Sequence, residues 1–198
     1  MEKITGKFVV LGPDHPERLA VEDFIREVFR KTYGASVRHF AKVLLGVRGR
    51  DGNWIAALGY TPASDKALFV ENYGGGRVER QISGKLDTLV KRDQIVEVGN
   101  LAASNAGAAR QLINQAIQFL YEAGFCWVIF TATRALLNSF ARLDLRPIQL
   151  AVADPARLPD HGRDWGTYYD SKPQIMAGSI LLGYVSMGTR QQQLALAA

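Results

Sequence analysis

A single cysteine, Cys126, stands in 198 residues, which excludes an intramolecular disulfide and a multi-cysteine zinc site. It falls in the apolar run FCWVIF, which reads as a central strand, so an inert core thiol is expected. The three histidines, His15, His39 and His161, are scattered singly without metal-ligand spacing, and no metal is expected. No apolar stretch approaches the ~20 residues that span a bilayer. The opening MEKITGKFVV lacks the apolar core of a signal peptide. A cytoplasmic protein is the expectation. Basic residues do not interleave with aromatics in a nucleic-acid footprint. Internal repeats, Pro/Ser-rich linkers and composition breaks are also missing, which points to one domain over 1–188 with a frayed tail over 189–198.

What is present is ordinary globular material, with 47% hydrophobic and 22% charged residues. A net charge of +5 suits an acidic partner: a nucleotide-bearing cofactor, a carrier protein or an anionic membrane surface.

The chain is organised around IVEVGNLAASNAGAARQLINQAIQFLYEAG, residues 95–124. An apolar run broken by one acid, Glu97, predicts a strand over 95–102. Small residues follow, and then Leu112, Ile113, Ala116, Ile117 and Leu120 space one buried face of a helix over 107–123. Gly124 reads as its terminator. A strand running into a small-residue turn and a helix can bring backbone N–H groups up to a phosphate. The same layout also serves ordinary packing. An acid within an apolar strand must be paired, pushed to a higher pKa or pointed into a cleft.

Elsewhere, Lys7–Leu11 reads as a strand. Asp14 as N-cap, with Pro16 and Glu17 behind it, opens a helix carrying Leu19, Val21, Phe24, Ile25, Val28 and Phe29 to Tyr33-Gly34. After a linker over 39–43, the Asp51-Gly52 pair predicts a hairpin between Leu44–Val47 and Trp54–Tyr60. Ala67–Tyr73 reads as a short apolar segment or a turn. The triple glycine 74–76 has no Lys-Ser/Thr behind it and reads as a flexible connection. A helix over 78–89, a strand over 125–131, a helix over 134–143 and a strand over 147–152 follow, then a loop-rich 155–166. Ser171 as N-cap with Gln174 at N3 predicts a final helix to about Met187. The order implies an α+β (α/β-like) fold, a mixed central sheet with helices on both faces.

Several long segments also carry a family resemblance: FIREVFRKTYGA (24–35), ALFVENY (67–73), IVEVGNLAA (95–103), WVIFTATRALLNSFARLDLRPIQLAVADPARL (127–158) and WGTYYDSKP (165–173). In this order they resemble the thermostable hemolysin family, over about Phe24 to Gly183. That family is similar in turn to the GNAT acyltransferases and, distantly, to acyl-homoserine-lactone autoinducer synthases. The resemblance implies a GNAT-like fold and transfer of an acyl group from acyl-CoA or an acyl carrier protein, as co-substrate, to an amine or hydroxyl. The acceptor would be a small molecule or a lipid, and no cofactor would be tightly bound.

Against the R/Q-x-x-G-x-G/A pyrophosphate turn of GNAT proteins the chain has Ser104, Gly107 and Ala109. Ser104 departs from the cation, which Arg110 could replace. Backbone donors from Asn105 through Ala108 to Arg110 would hold the phosphates. The resemblance makes Glu97 the candidate base, with a structural carboxylate paired to an arginine as its alternative. Val98, Gly99, Asn100 and Leu101 lie at the splayed end of its strand, where an N–H would polarise the thioester carbonyl. Asn138 is a candidate ligand contact, and Phe29, Tyr33 and Phe69 line the expected acyl cleft or are plain core. Phe140 stands where many such enzymes have an acidic tyrosine, and Asp144-Leu145 replaces a Gly-Phe ending. The autoinducer-synthase ELSR reads Glu97-Val98-Gly99-Asn100, which argues against S-adenosylmethionine. The family name supplies a second reading, a membrane-active cytolysin without acyl transfer, for which only IMAGSILLGYVSM (175–187) is apolar enough to consider.

Overall fold

Among the described residues seven strands form one mixed sheet in the order β1-β2-β3-β4-β5-β7-β6. A computed structural model describes residues 6–196, with the backbone alone over 190–196. The strands are β1 (Lys7–Leu11), β2 (Val43–Arg48), β3 (Trp54–Pro62), β4 (Ile95–Ala103), β5 (Trp127–Ala132), β6 (Ile148–Val152) and β7 (Gln174–Ser179). The helices are α1 (Arg18–Tyr33), α2 (Val78–Leu86), α3 (Ala106–Glu122), α4 (Arg134–Arg142) and α5 (Ile180–Leu196). Only β4 and β5 pair in parallel; the other neighbours are antiparallel.

Side-chain alternation sorts the helices onto two faces. Leu44, Ala57 and Ala102 pack against Val21, Ile25 and Phe29 of α1. On the same face Ile95, Ile129 and Ala177 meet Val78 and Ile82 of α2. The opposite face sets Leu45, Val47, Ala56 and Leu58 against Ala108, Leu112 and Ala116 of α3. There Phe130 and Met176 lie beneath Phe140 of α4, and Val96 beneath Ile180 of α5.

The predicted hairpin is present, with Gly52 at φ +81 in its turn. Four expectations need correction. The α1 N-cap is Glu17, not Asp14, and it makes no side-chain cap bond. A turn occupies the preceding segment instead, with the Arg18 N–H donating to the His15 carbonyl at 2.9 Å and the Glu17 carboxylate paired to Arg48. Cys126 is exposed rather than a core thiol, because it precedes β5 at the sheet's end; its N–H donates to Gln94 O and its carbonyl accepts from Ile180 N, both at 2.9 Å.

Residues 174–179 are a strand and not the start of the last helix. The Ser171 hydroxyl donates to Tyr168 O at 2.8 Å instead of capping, and Gln174–Ser179 bridges β5 and β6. The serine that accepts from the first turn of α5 is Ser179, whose hydroxyl takes the Leu182 N–H at 3.3 Å. The helical backbone then runs to Leu196, past Thr189 where a frayed tail was expected; 197 and 198 lie outside the described residues.

The sheet's key irregularity is in β4. Ala57 pairs with Ala102 but Gly59 pairs with Gly99, so two β4 residues oppose Leu58 alone. Asn100, at φ +54, sits in this bulge. The β4–β5 ladder ends at Val98↔Phe130, although both strands continue. Beyond that pair the sheet opens.

Gly166 joins the segment after β6 to the end of α1. Its φ of +51 and ψ of −127 lie in a region L side chains avoid, and a Cβ there would sit 2.0 Å from Tyr33 O. Gly166→Ala is therefore expected to lower stability by about 2 kcal/mol or more in urea denaturation. Gly124→Ala, at φ +83 with open space around it, should cost less.

Candidate active site

Glu97 projects from β4 onto the α1/α2 face, paired with Thr61 on β3 and Ile129 on β5. An acid at this position needs donors, and a 3-10 turn over Phe69–Tyr73 supplies them. The Phe69 N–H donates to Glu97 Oε2 at 2.7 Å and the Val70 N–H to Oε1 at 3.0 Å. Burial pushes the carboxyl up to about 7, outweighing the two amide bonds that favour its charged form. The folded state thus holds this proton more tightly than the unfolded chain. The associated stability is full below the ordinary value of 4.5 and is lost as pH rises through about 7.

The donor turn is itself clamped. Glu71 accepts from the Leu68 N–H at 2.9 Å and the Val78 N–H at 3.1 Å. Arg92 reaches Glu71 at 2.7 Å, Glu79 at 2.8 Å, Ala63 O at 2.7 Å and Lys66 O at 3.0 Å. Burial opposes ionisation of Glu71, but the Arg92 guanidinium and the amides together hold its carboxyl below the usual range. Three N–H groups at the start of one turn are thereby held by two carboxylates, and Arg92 neutralises the rear one.

A cavity of about 950 Å³ passes Glu97 and reaches both faces of the sheet where β4 and β5 part. On the Glu97 side its walls are Phe29, Tyr33, Phe69, Trp165 and Tyr168. These rings contact one another: Tyr33–Tyr168 at 5.2 Å, Trp165–Tyr168 at 5.4 Å, Phe69–Trp165 at 5.9 Å and Phe29–Trp165 at 6.3 Å. Burial raises the Tyr33 and Tyr168 hydroxyls above the ordinary value, so both are neutral donors at physiological pH. On the other face the arm is apolar, walled by Ile113 and Ile117 of α3, Phe130, Phe140, Leu145 and Leu182.

The sequence-predicted residues divide between cavity and rim. Glu97, Val98, Gly99, Asn100, Leu101, Phe29, Tyr33 and Phe69 all line the cavity. The Asn100 side chain, however, is engaged at both ends: Oδ1 accepts from Ala41 N at 3.1 Å and Nδ2 donates to His39 O at 3.2 Å. It fastens the 39–41 linker across the bulge. Ser104, Asn105, Gly107, Ala108, Ala109, Arg110 and Asn138 are outside the cavity lining. Asn105 caps α3, its Oδ1 accepting the Ala108 N–H at 2.9 Å, and Ala108 is core. Sequence reasoning missed Trp165, Tyr168, Tyr73 and Lys66. The aromatic density of WGTYYDSKP was a signal for the first two; nothing marked Lys66.

A family model described as thermostable hemolysin matches residues 11–184. The chain belongs to the thermostable hemolysin family. No curated protein matches it in sequence. Among solved structures it is similar to TofI in a ternary complex with an inhibitor and MTA, at 14% identity and TM-score 0.61, covering 88% of this chain and 91% of that one. It is similar also to FeeM, an N-acyl amino acid synthase from uncultured soil microbes, at 13% identity and TM-score 0.58, covering 90% and 98%. A third is MesI, a CoA-dependent acyl-homoserine lactone synthase, at 14% identity and TM-score 0.54, covering 91% and 92%. The fold of this family member is therefore GNAT-like, a mixed sheet in a single domain.

In this family member the clamp behind Glu97 makes a signed prediction. Glu71→Gln removes a negative charge that raises Glu97, and should lower the Glu97 midpoint by about half a pH unit. Arg92→Gln uncovers Glu71 and Glu79 and should raise it by a similar amount. Carboxyl-carbon NMR titration of the unliganded protein reads both; shifts of the same sign would mean that the turn had merely loosened.

Proposed function

We propose that this protein is an acyltransferase that moves an acyl group from an acyl-CoA or acyl-carrier-protein thioester to an amine or hydroxyl, with Glu97 as the base. The observation that carries the reading is the cavity through the parted strands, with a carboxyl poised near neutrality at its wall. A base is most effective when its pKa is near the working pH. The likeness in fold to an N-acyl amino acid synthase and a CoA-dependent acyl-homoserine lactone synthase supports the same class.

The two arms suit two substrates. The apolar arm between α3 and α4 fits the acyl chain, a revision of the expectation that Phe29, Tyr33 and Phe69 would hold it. Those rings stand on the Glu97 side and fit the acceptor. Backbone N–H groups of Gly99 to Leu101, past the last β4–β5 pair, are the candidate donors to the thioester carbonyl. The turn at Ser104, Gly107 and Ala109 would meet a coenzyme A pyrophosphate through Ala106 and Gly107 N–H groups, since Asn105 already holds that of Ala108.

The cytolytic reading draws on one observation. Leu181, Leu182 and Val185 of α5 are 51%, 68% and 54% exposed, beside the mouth of the apolar arm. Among the described residues no helix is long and apolar enough to cross a membrane. Liposome leakage by the purified protein without any acyl donor would favour that reading.

Thiol release from acyl-CoA and acyl-carrier-protein donors of graded length, with amine and hydroxyl acceptors, tests the proposal. Glu97→Gln should reduce turnover by about 10²–10⁴-fold. Because the working form of Glu97 is the carboxylate, kcat/KM of the unaltered protein should rise with pH through about 7 and level off above it. Absence of turnover with both donor classes, together with no detectable CoA binding by calorimetry, would sink the reading.

A further inference from the structure

Beside Glu97 the aromatic arm carries a positive charge that the proposed reaction has not used. Lys66 lines the same cavity as Glu97, near enough for its charge to act on that carboxyl. Its backbone carbonyl, not its ammonium, is tied to Arg92 at 3.0 Å. Among the described residues the Lys66 ammonium has no ion pair, whereas the neighbouring cations do. Arg38 pairs with Asp164 at 3.1 Å, Lys42 with Asp65 at 2.6 Å and Arg92 with Glu71 at 2.7 Å. Of the other basic residues that line the cavity, Arg38 and Arg146 are paired, with Asp164 and Asp144, whereas Lys66 has no ion pair among the described residues.

We infer that the acceptor is a zwitterionic amine, its ammonium at Glu97, its anionic group at Lys66 and its apolar body against Phe69, Trp165 and Tyr168. An ammonium beside a carboxylate and an anion beside a lysine each gain charge-assisted hydrogen bonds. The rings favour an apolar substituent and shield the pair at Glu97 from water. The chemistry has two sources, a free α-amino acid with an apolar side chain or the phosphoethanolamine headgroup of a lipid. The inference rests on the acyl-transfer reading for what the bound amine does next. The ammonium gives one proton to Glu97, which passes it to solvent. The freed nitrogen bonds to the thioester carbonyl carbon as the C–S bond breaks. The second nitrogen proton goes to the departing sulfur, leaving an amide, a thiol and one released proton.

Calorimetry on the full chain without donor tests the binding by itself. L-Phenylalanine is expected to bind about tenfold or more tighter than phenethylamine, which lacks the carboxylate, and than 3-phenylpropionate, which lacks the ammonium. Lys66→Met should abolish the preference over phenethylamine, and Lys66→Arg should retain it; Lys66 is exposed, so both should fold. Glycerophosphoethanolamine binding in place of phenylalanine, with the same Lys66 dependence, would assign the lipid source. Equal binding of phenethylamine and phenylalanine, a preference that survives Lys66→Met, or no binding of either zwitterion would overturn the inference. Thiol release with simple amines alone would then leave acyl transfer standing. Zwitterion binding with no thiol release under any donor would instead overturn acyl transfer and leave the binding site.

Discussion

The hydrogen bonds from the Phe69 and Val70 amides to the Glu97 carboxylate are the interaction on which the site depends. An acid on the inner face of a sheet would otherwise be desolvated without compensation. The 3-10 turn compensates it with backbone donors in place of a cation, so the carboxyl is held in position but not held fully charged. An arginine in the same place would lower its pKa and remove it from the neutral range. Here the arginine is one step back: Arg92 binds Glu71, Glu71 binds the turn, and the turn binds Glu97. Glu97 and the Phe69 wall of the cavity are thus tied together through one turn.

The bulge in β4 gives that unit something to face. By placing two residues against Leu58, it restores the same face to Glu97, Gly99 and Ala102, so α1 can cover Ala102 while Glu97 looks into the cavity. It also coincides with the point where β4 leaves β5. Gly59, opposite Gly99, keeps the crossing thin: a Cβ there would meet the Ala41 side chain at 2.6 Å. The Asn100 side chain then pins 39–41 over the same spot. A strap, a bulge and a parted ladder together convert a continuous sheet into one with a passage.

Much of this was legible in the chain. Glu97 stood out because charge interrupts an apolar run, and its need for a partner followed from desolvation alone; the choice of backbone amides over arginine did not, since the turn lies 27 residues upstream. The Asp51-Gly52 hairpin and the β4–α3 unit were visible because their signals are local. β7 was misread because Ser171-Lys172-Pro173-Gln174 mimics a helix start, and only pairing with β5 and β6 distinguishes the two. The aromatic wall was half seen. Phe29, Tyr33 and Phe69 could be named, but their contacts with Trp165 and Tyr168 span the chain, and periodicity carries no such information. Ser104 to Arg110 drew attention as a turn of small residues, yet Ala108 serves packing and Asn105 serves capping.

Phe140 is the departure with the clearest physical reading. It is buried in an apolar cluster with Ile113, Phe130 and Met176, edge-on to Phe130 at 5.1 Å. A hydroxyl at its ring would need a partner there or leave a polar group unsatisfied. Without it the apolar arm gains a continuous wall, and in the proposed reaction the departing sulfur would lack a donor. That loss is small for a thiol, whose pKa of about 8.5 makes the thiolate a competent leaving group near neutrality. An amine is different: it cannot attack while it holds its extra proton, and it must lose a second as the amide forms. Under the proposed acyl transfer the demand for proton transfer would therefore fall on the nitrogen side of the passage, where Glu97 stands, and the sulfur side could be given over to apolar packing.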